Sequence, residues 1–184
     1  MVSGYLDKLT AENLSTPASV FSNKIVDILT RRCADSLKLV RSVASQMRAT
    51  PSRSNQVAPS YFVPSILKPL HSFYSSRPGL RSHSDDWSPK IIDSICVSYA
   101  GILAGVRKTE ELLRRHRKSK KTGFSLFGGG APQPEEEGAE EERFKKQMEA
   151  DINALKTDAT KLGVDMDTLA GWKELVEVVN RPAE

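Results

Sequence analysis

The apolar positions of the first third of the chain fall at Phe21, Ile25, Ile28, Leu29, Cys33, Leu37, Val40, Val43, Ala44 and Met47. Steps of three and four place them on one stripe of an α-helix, with Lys24, Asp27, Arg31 and Asp35 on the other side. Ser15-Thr16-Pro17 reads as the start, a hydroxyl cap followed by Pro in the first turn. Thr50-Pro51 ends a helix of roughly 30 residues, about 45 Å long. Residues 51–60 read as a polar connection. The apolar segment YFVPSILKPLHSFY carries Pro64, which can start a helix, and Pro69, which would bend it. It predicts a short kinked helix over 61–75, with a loop over 75–86. Trp87-Ser88-Pro89 repeats the start signal, with Ser88 as the cap. Ile92, Ile95, Tyr99, Ile102, Leu103, Val106 and Leu113 continue at helical spacing. The stripe fades near Leu113, so the basic end that follows should project past the packed region.

Gly101 and Gly105 lie one turn apart, where they would either admit a neighbouring helix or simply weaken their own by about 1 kcal/mol each. Residues 122–138 (TGFSLFGGGAPQPEEEG) read as a flexible linker. Phe144, Met148, Ile152, Leu155, Ala159 and Leu162 mark an amphipathic helix whose acidic start suits the helix dipole. Gly163 followed by Val164 predicts a left-handed C-cap. A last short helix carries Leu169, Trp172, Leu175, Val176 and Val179 on one face. The fold class is therefore all-α: an elongated helical bundle over 1–121, a linker over 122–138, and a C-terminal helical pair over 139–184. The predicted core includes Ile25, Leu29, Val40, Leu67, Ile95, Tyr99 and Leu103.

Composition adds little to this, but charge does. At 184 residues, 39% of them hydrophobic, the chain can bury a core without disulfides or metal. No apolar run approaches the ~20 residues of a membrane span, and Met1–Thr10 lacks the pattern of a secretory signal. Cys33 and Cys96 fall in helix interiors, which argues against a disulfide framework and for a reducing compartment. Residues 1–121 hold 20 Lys and Arg against 9 Asp and Glu, a net +11; residues 122–184 hold 7 against 14, a net −7. The two parts attract one another or meet different partners.

Catalytic chemistry finds few candidates. His71, His83 and His116 have no companions at metal-ligand spacing, and neither cysteine belongs to a CxxC pair. Gly128-Gly129-Gly130 lacks the Lys-Ser/Thr of a phosphate loop, and Glu135–Glu142 lacks the spacing of a calcium loop. No enzyme activity, cofactor or metal is expected. The run Arg114–Lys121 is different. Arg114, Arg115, Arg117, Lys118, Lys120 and Lys121 make it dense enough to contact an acidic partner or an anionic surface. The competing readings are a solvated helix end, or a basic helical nucleic-acid-binding or nuclear protein, although no aromatic is interleaved to stack bases. The stripe of Leu169, Trp172, Leu175, Val176 and Val179 sits on a helix too short to stand alone in water. It must dock, either on its own bundle or on a partner.

The order of these segments resembles a known family, subunit 2 of the conserved oligomeric Golgi complex, in its C-terminal region. IVDILTRRCADSLKLVRSV carries the internal Cys33 of that family's long helix. SYFVPSILKPLHSF matches its "S-x-Y-V-x-x-x-L-[KR]-P-L" segment through Ser60, Phe62, Val63, Leu67, Lys68, Pro69 and Leu70. SYAGILAGVRKTEELLRRHRKSKKT is similar to its "V-[KR]-K-x-E-x-x-L" helix and basic exit. MEADINALKTDATKLGVDMDTLAGWKELVEVV resembles its closing segment through Asp151, Leu162-Gly163 and Trp172 to Val179. The resemblance runs over about residues 20–180. Pro64 and the region around 81–90 depart from it, and the longer N-terminal portion is missing, so the chain is expected to be a C-terminal fragment or a split subunit. The resemblance implies a vesicle-tethering component of the helical-rod type, peripheral on the cytoplasmic face of the Golgi membrane. Its implied partners are sibling subunits, with golgins, SNAREs and small GTPases further out, and no nucleic acid.

Overall fold

The computed structural model describes residues 3–49, 57–121 and 134–181. The expected linker lies outside the described residues up to 133, and residues 134–138 open a helix rather than continuing it. Among the described residues seven α-helices follow in order: α1 (Ser3–Ala34), α2 (Val40–Ala49), α3 (Val63–Ile66), α4 (Lys68–Ser76), α5 (Ser84–Lys121), α6 (Pro134–Thr160) and α7 (Ala170–Asn180). Short 3-10 turns stand at Asp35–Leu39, Pro78–His83 and Met166–Thr168. No strand occurs among the described residues, and the fold is all-α. The 32 residues of α1 and 38 of α5 make rods of about 48 and 57 Å, which set the long dimension of the bundle.

Both expected start signals are overrun. Ser15-Thr16-Pro17 lies inside α1, which begins at Ser3. Pro89 lies inside α5, which begins at Ser84 with Asp85 and Asp86 in its first turn, where their charge complements the helix dipole. Ser88 is not a cap. Its hydroxyl is fully buried 3.0 Å from the Tyr74 hydroxyl, because two buried polar groups must satisfy each other where no water reaches. The kink at Pro69 resolves into a break at Leu67. Pro64 and Pro69 each sit in the first turn of their own short helix, where a missing N–H costs nothing.

What reads as one long helix over 17–49 is α1 and α2 joined through a 3-10 turn. The tighter winding, about three residues per turn, re-phases the apolar stripe. Leu37 in the turn and Val40, Val43 and Ala44 after it are buried as a result, in line with Leu29 and Cys33 of α1. Phe21 and Ile28, expected on the same stripe, are left 70% and 43% exposed. Near that end the packed contact is polar, with Trp87 Nε1 donating to Ser22 Oγ at 2.6 Å.

α5 is the central rod: Ile91, Ile92, Ile95, Cys96, Tyr99, Ala100, Leu103 and Val106 are buried, with α1, α2 and α7 packed along them. The Pro78–Leu113 stretch is long and apolar enough to cross a membrane by length and composition, contrary to the expectation from apolar runs, yet its apolar side is spent on this core. α6 packs on α3 and contributes Phe144, Met148, Ile152, Leu155 and Ala159 to the same core. The expected boundary therefore does not divide the hydrophobic interior. Of the seven expected core residues, Ile25 alone is only partly buried.

Cys33 and Cys96 are unbridged and buried. Burial pushes their thiols up to about 11 and about 12, so both stay protonated and inert at neutral pH.

α6 ends as the sequence predicts. Gly163 has φ +77°, its N–H reaches the Thr160 carbonyl at 3.0 Å, and the Val164 N–H reaches the Ala159 carbonyl at 3.3 Å. These are the paired bonds of a Schellman turn, completed by contact between the buried Ala159 and Val164 positions.

Candidate functional site

Two surfaces compete as places of function: the apolar stripe of α7 and the basic end of α5. The structure gives them opposite fates. Leu169, Trp172, Leu175 and Val179 are buried in the chain's own core, and Val176 is partly buried against it. Of the two destinations open to the stripe, it takes its own bundle. Trp172 is 6% exposed, with Lys156 Nζ 5.7 Å above its ring, and the same ammonium is paired to Asp167 at 2.7 Å. A cation over an indole face is attractive even where it is partly exposed, as Lys156 is, so this pair helps fix the turn before α7.

The α5–α7 seam depends on residues that periodicity does not reveal. A Cβ on Gly171 would stand 2.5 Å from the Asp93 carbonyl oxygen and 2.8 Å from Val97 Cγ2, so only glycine fits. Its N–H donates to Asp93 Oδ1 at 2.7 Å, satisfying one of the orphan donors at the start of α7. At the other end Arg107 donates from Nη2 to the Val179 carbonyl at 2.7 Å and from Nη1 to the Arg181 carbonyl. A guanidinium on the last carbonyls of a helix complements its dipole. In the sequence Asp93 is merely a break in an apolar run and Arg107 a letter of the basic helix.

A second cluster ties α5 and α6 to the segment before α3. Asp151 is fully buried and accepts from the Ser60 N–H at 2.6 Å and from Gln147 Nε2 at 3.0 Å. Gln147 also donates to the Ala58 carbonyl at 2.8 Å. The Tyr99 hydroxyl lies beside the carboxylate, but neither it nor Asp151 Oδ2 closes a well-formed hydrogen bond. Burial holds the Asp151 carboxyl above the usual carboxylate range, against the lowering effect of its donors. Burial, then the neighbouring Asp151 charge, pushes Tyr99 well above the usual phenol range. The cluster orders the bundle, and it contains no nucleophile with a base in reach. The histidines are scattered: His71 Nε2 lies 3.3 Å from Asp158, His83 stacks on Trp87, and His116 is exposed on α5. No group that could hold a metal ion occurs among the described residues.

The basic end is open. The α5 core ends at Val106, while Leu112 and Leu113 are 58% and 45% exposed. Arg115 is exposed and pairs with Glu111 one turn back. Arg114, Arg117, Lys118, Lys120 and Lys121 stand on the last two turns of the α5 backbone, and their side chains lie outside the described residues. Gly101 and Gly105 face open space, so they admit no neighbour and only weaken α5.

A helical bundle around one hydrophobic interior, with a few buried polar groups tied to one another, defines a class: an all-α structural module. Residues 5–152 match the family model described as "COG complex component, COG2, C-terminal". The chain belongs to that family, which covers most of its length and comprises structural subunits not known as enzymes. It is thus a component of the conserved oligomeric Golgi complex, a Golgi-associated assembly, and other subunits of the complex are its partners. The match includes the Asp151 cluster and all of α5, but stops before the Schellman turn and α7. No curated protein and no solved structure matches the chain.

Proposed function

We propose that the chain is the C-terminal module of a Golgi tethering subunit, acting in vesicle tethering, retrograde intra-Golgi transport and Golgi organisation through protein–protein contacts. The observation that carries this reading is the family match over residues 5–152, joined to an architecture of long rods with a projecting end. The module works at the cytoplasmic face of the Golgi membrane as a peripheral component. Sibling subunits are its direct partners, and golgins, SNAREs and small GTPases are reached through them. Arg114, Arg115, Arg117, Lys118, Lys120 and Lys121 form a contact face for an acidic partner or an anionic surface, since α5 continues past Val106, the last residue it buries. The α7 stripe supports this role indirectly by locking α5 in place.

The test is affinity purification of the tagged chain from cells, with its partners identified by mass spectrometry. Recovery of the sibling subunits together with juxtanuclear Golgi staining is the expected result. Nuclear accumulation with no tether subunit recovered would reject the reading and favour nucleic-acid binding by the basic run.

A further inference from the structure

We propose that the projecting end of α5, residues 108–121, binds anionic phospholipid membranes directly. The proposal rests on the reading of this end as a contact face and names its partner. Fifteen residues of α5 follow Val106, the last residue it buries, giving about 22 Å of helix beyond the core. Residues 108–121 carry seven Lys and Arg against Glu110 and Glu111, a net +5. Arg107 is not among them, because its guanidinium is committed to the end of α7.

Charge alone would suit any polyanion. The two leucines choose among them. Leu112 and Leu113 are the most exposed large apolar side chains described on α5, and they stand immediately before the cationic run. Neither has a neighbour in the bundle that buries it. An anionic bilayer meets both needs: headgroup phosphates and carboxylates for the cations, and acyl chains for the leucines at the interface. A nucleic acid would meet the first and leave the leucines in water, and the run has no aromatic on which bases could stack. Within the chain the competitor is the acidic start of α6, of which Glu142 pairs with Lys146 one turn further along the same helix. One chain offers a single such patch, so binding is weak and reversible, as a contact that must release requires.

The test is co-sedimentation of the full chain with vesicles of phosphatidylcholine alone and of phosphatidylcholine with 20–30% phosphatidylserine, at low and at about 0.3 M salt. Wild type should sediment with the anionic vesicles only and be released by salt. Reversing Arg115, Arg117, Lys118 and Lys120 to Glu should weaken binding more than a hundredfold, at about fivefold per cation near such a surface. Ser119→Glu, one added negative charge amid the run, should cost about fivefold. Leu112→Ser with Leu113→Ser should cost about tenfold at unchanged charge. Circular dichroism of every variant checks that the bundle is intact.

Failure of the wild type to bind anionic vesicles at low salt, equal binding to neutral ones, or capture by a single-stranded oligonucleotide but not by vesicles would each overturn the proposal. So would leucine variants that bind like wild type. Recovery of sibling subunits by the charge-reversed chain separates the two claims: the tether reading survives there even if vesicle binding fails.

Discussion

The two halves of α5 obey one periodicity and meet two different surroundings. From Ile91 to Val106 most of its apolar positions, Val97 apart, are covered by α1, α2 and α7, down to a glycine contact with α7 at Asp93. Past Val106 the same helical rhythm continues through Leu113, and among the described residues none of its apolar positions is buried. Helical spacing therefore says where a helix runs, and the lengths of the neighbouring rods decide how much of it is core. α7 ends at Asn180, clamped by Arg107, and the sealed part of α5 ends with it. What lies beyond is surface by construction, and there the cations gather.

The largest effect should come from breaking the sealed half. Trp172→Ala removes a buried indole and the partner of Lys156, and should lower the stability of the fold by about 3–5 kcal/mol, read from urea unfolding. Gly171→Ala drives a Cβ into the α5 backbone at Asp93. It should cost about 1–3 kcal/mol, because backbone yields less readily than a side chain. Gly101→Ala and Gly105→Ala make the opposite case. Both open onto free space on the same helix, and each should raise stability by about 0.5–1 kcal/mol. Opposite signs for the same substitution at the α7 seam and on the open side of α5 would sharpen the comparison. Equal signs would break it.

Smaller still is the pH effect of Asp151. Its folded carboxyl titrates above the unfolded one, so the folded state holds the proton more tightly. The contribution is complete below the unfolded range near pH 4 and fades as pH rises through the raised folded value, so stability from this group falls with rising pH. Asp151→Asn keeps an acceptor for the Ser60 N–H and offers a donor to the Tyr99 hydroxyl. Unfolding of wild type and variant at pH 5 and pH 8 should show the variant gaining on the wild type at the higher pH. At the open end, Leu113→Ser should change stability by no more than about 0.5 kcal/mol.

Much of this fold is legible in the residues. The stripes on α5, α6 and α7, the left-handed Gly163 and a disturbance of the helix at Pro69 all follow from local rules, because spacing, caps and φ are local properties. The failures have a common cause. Ser15-Thr16-Pro17 and Trp87-Ser88-Pro89 look like starts, but a cap signal is weak beside the packing of a long rod, and Ser88 finds a partner in Tyr74. Phe21 and Ile28 obey the loose three-and-four spacing, yet the side of α1 that packs runs through Ser22, Ile25, Val26, Leu29 and Cys33 and leaves both outside it. Gly171, Asp93, Arg107 and Gln147 carry no signal of their own. Their roles exist only once α7 lies on α5 and α6 on α3. The open end is legible as charge, and the stripe fades at Leu113 in the sequence, whereas the exposure of Leu112 and Leu113 follows only once the structure shows where α7 stops.

Hydrogen exchange resolved along the chain tests this account most directly. Amides of 91–106 and 170–180 should be protected together, as one cooperative unit, while those of 110–121 exchange orders of magnitude faster. Exchange in α7 as fast as at the α5 end, with 91–106 still protected, would show that the seam does not hold and contradict the account.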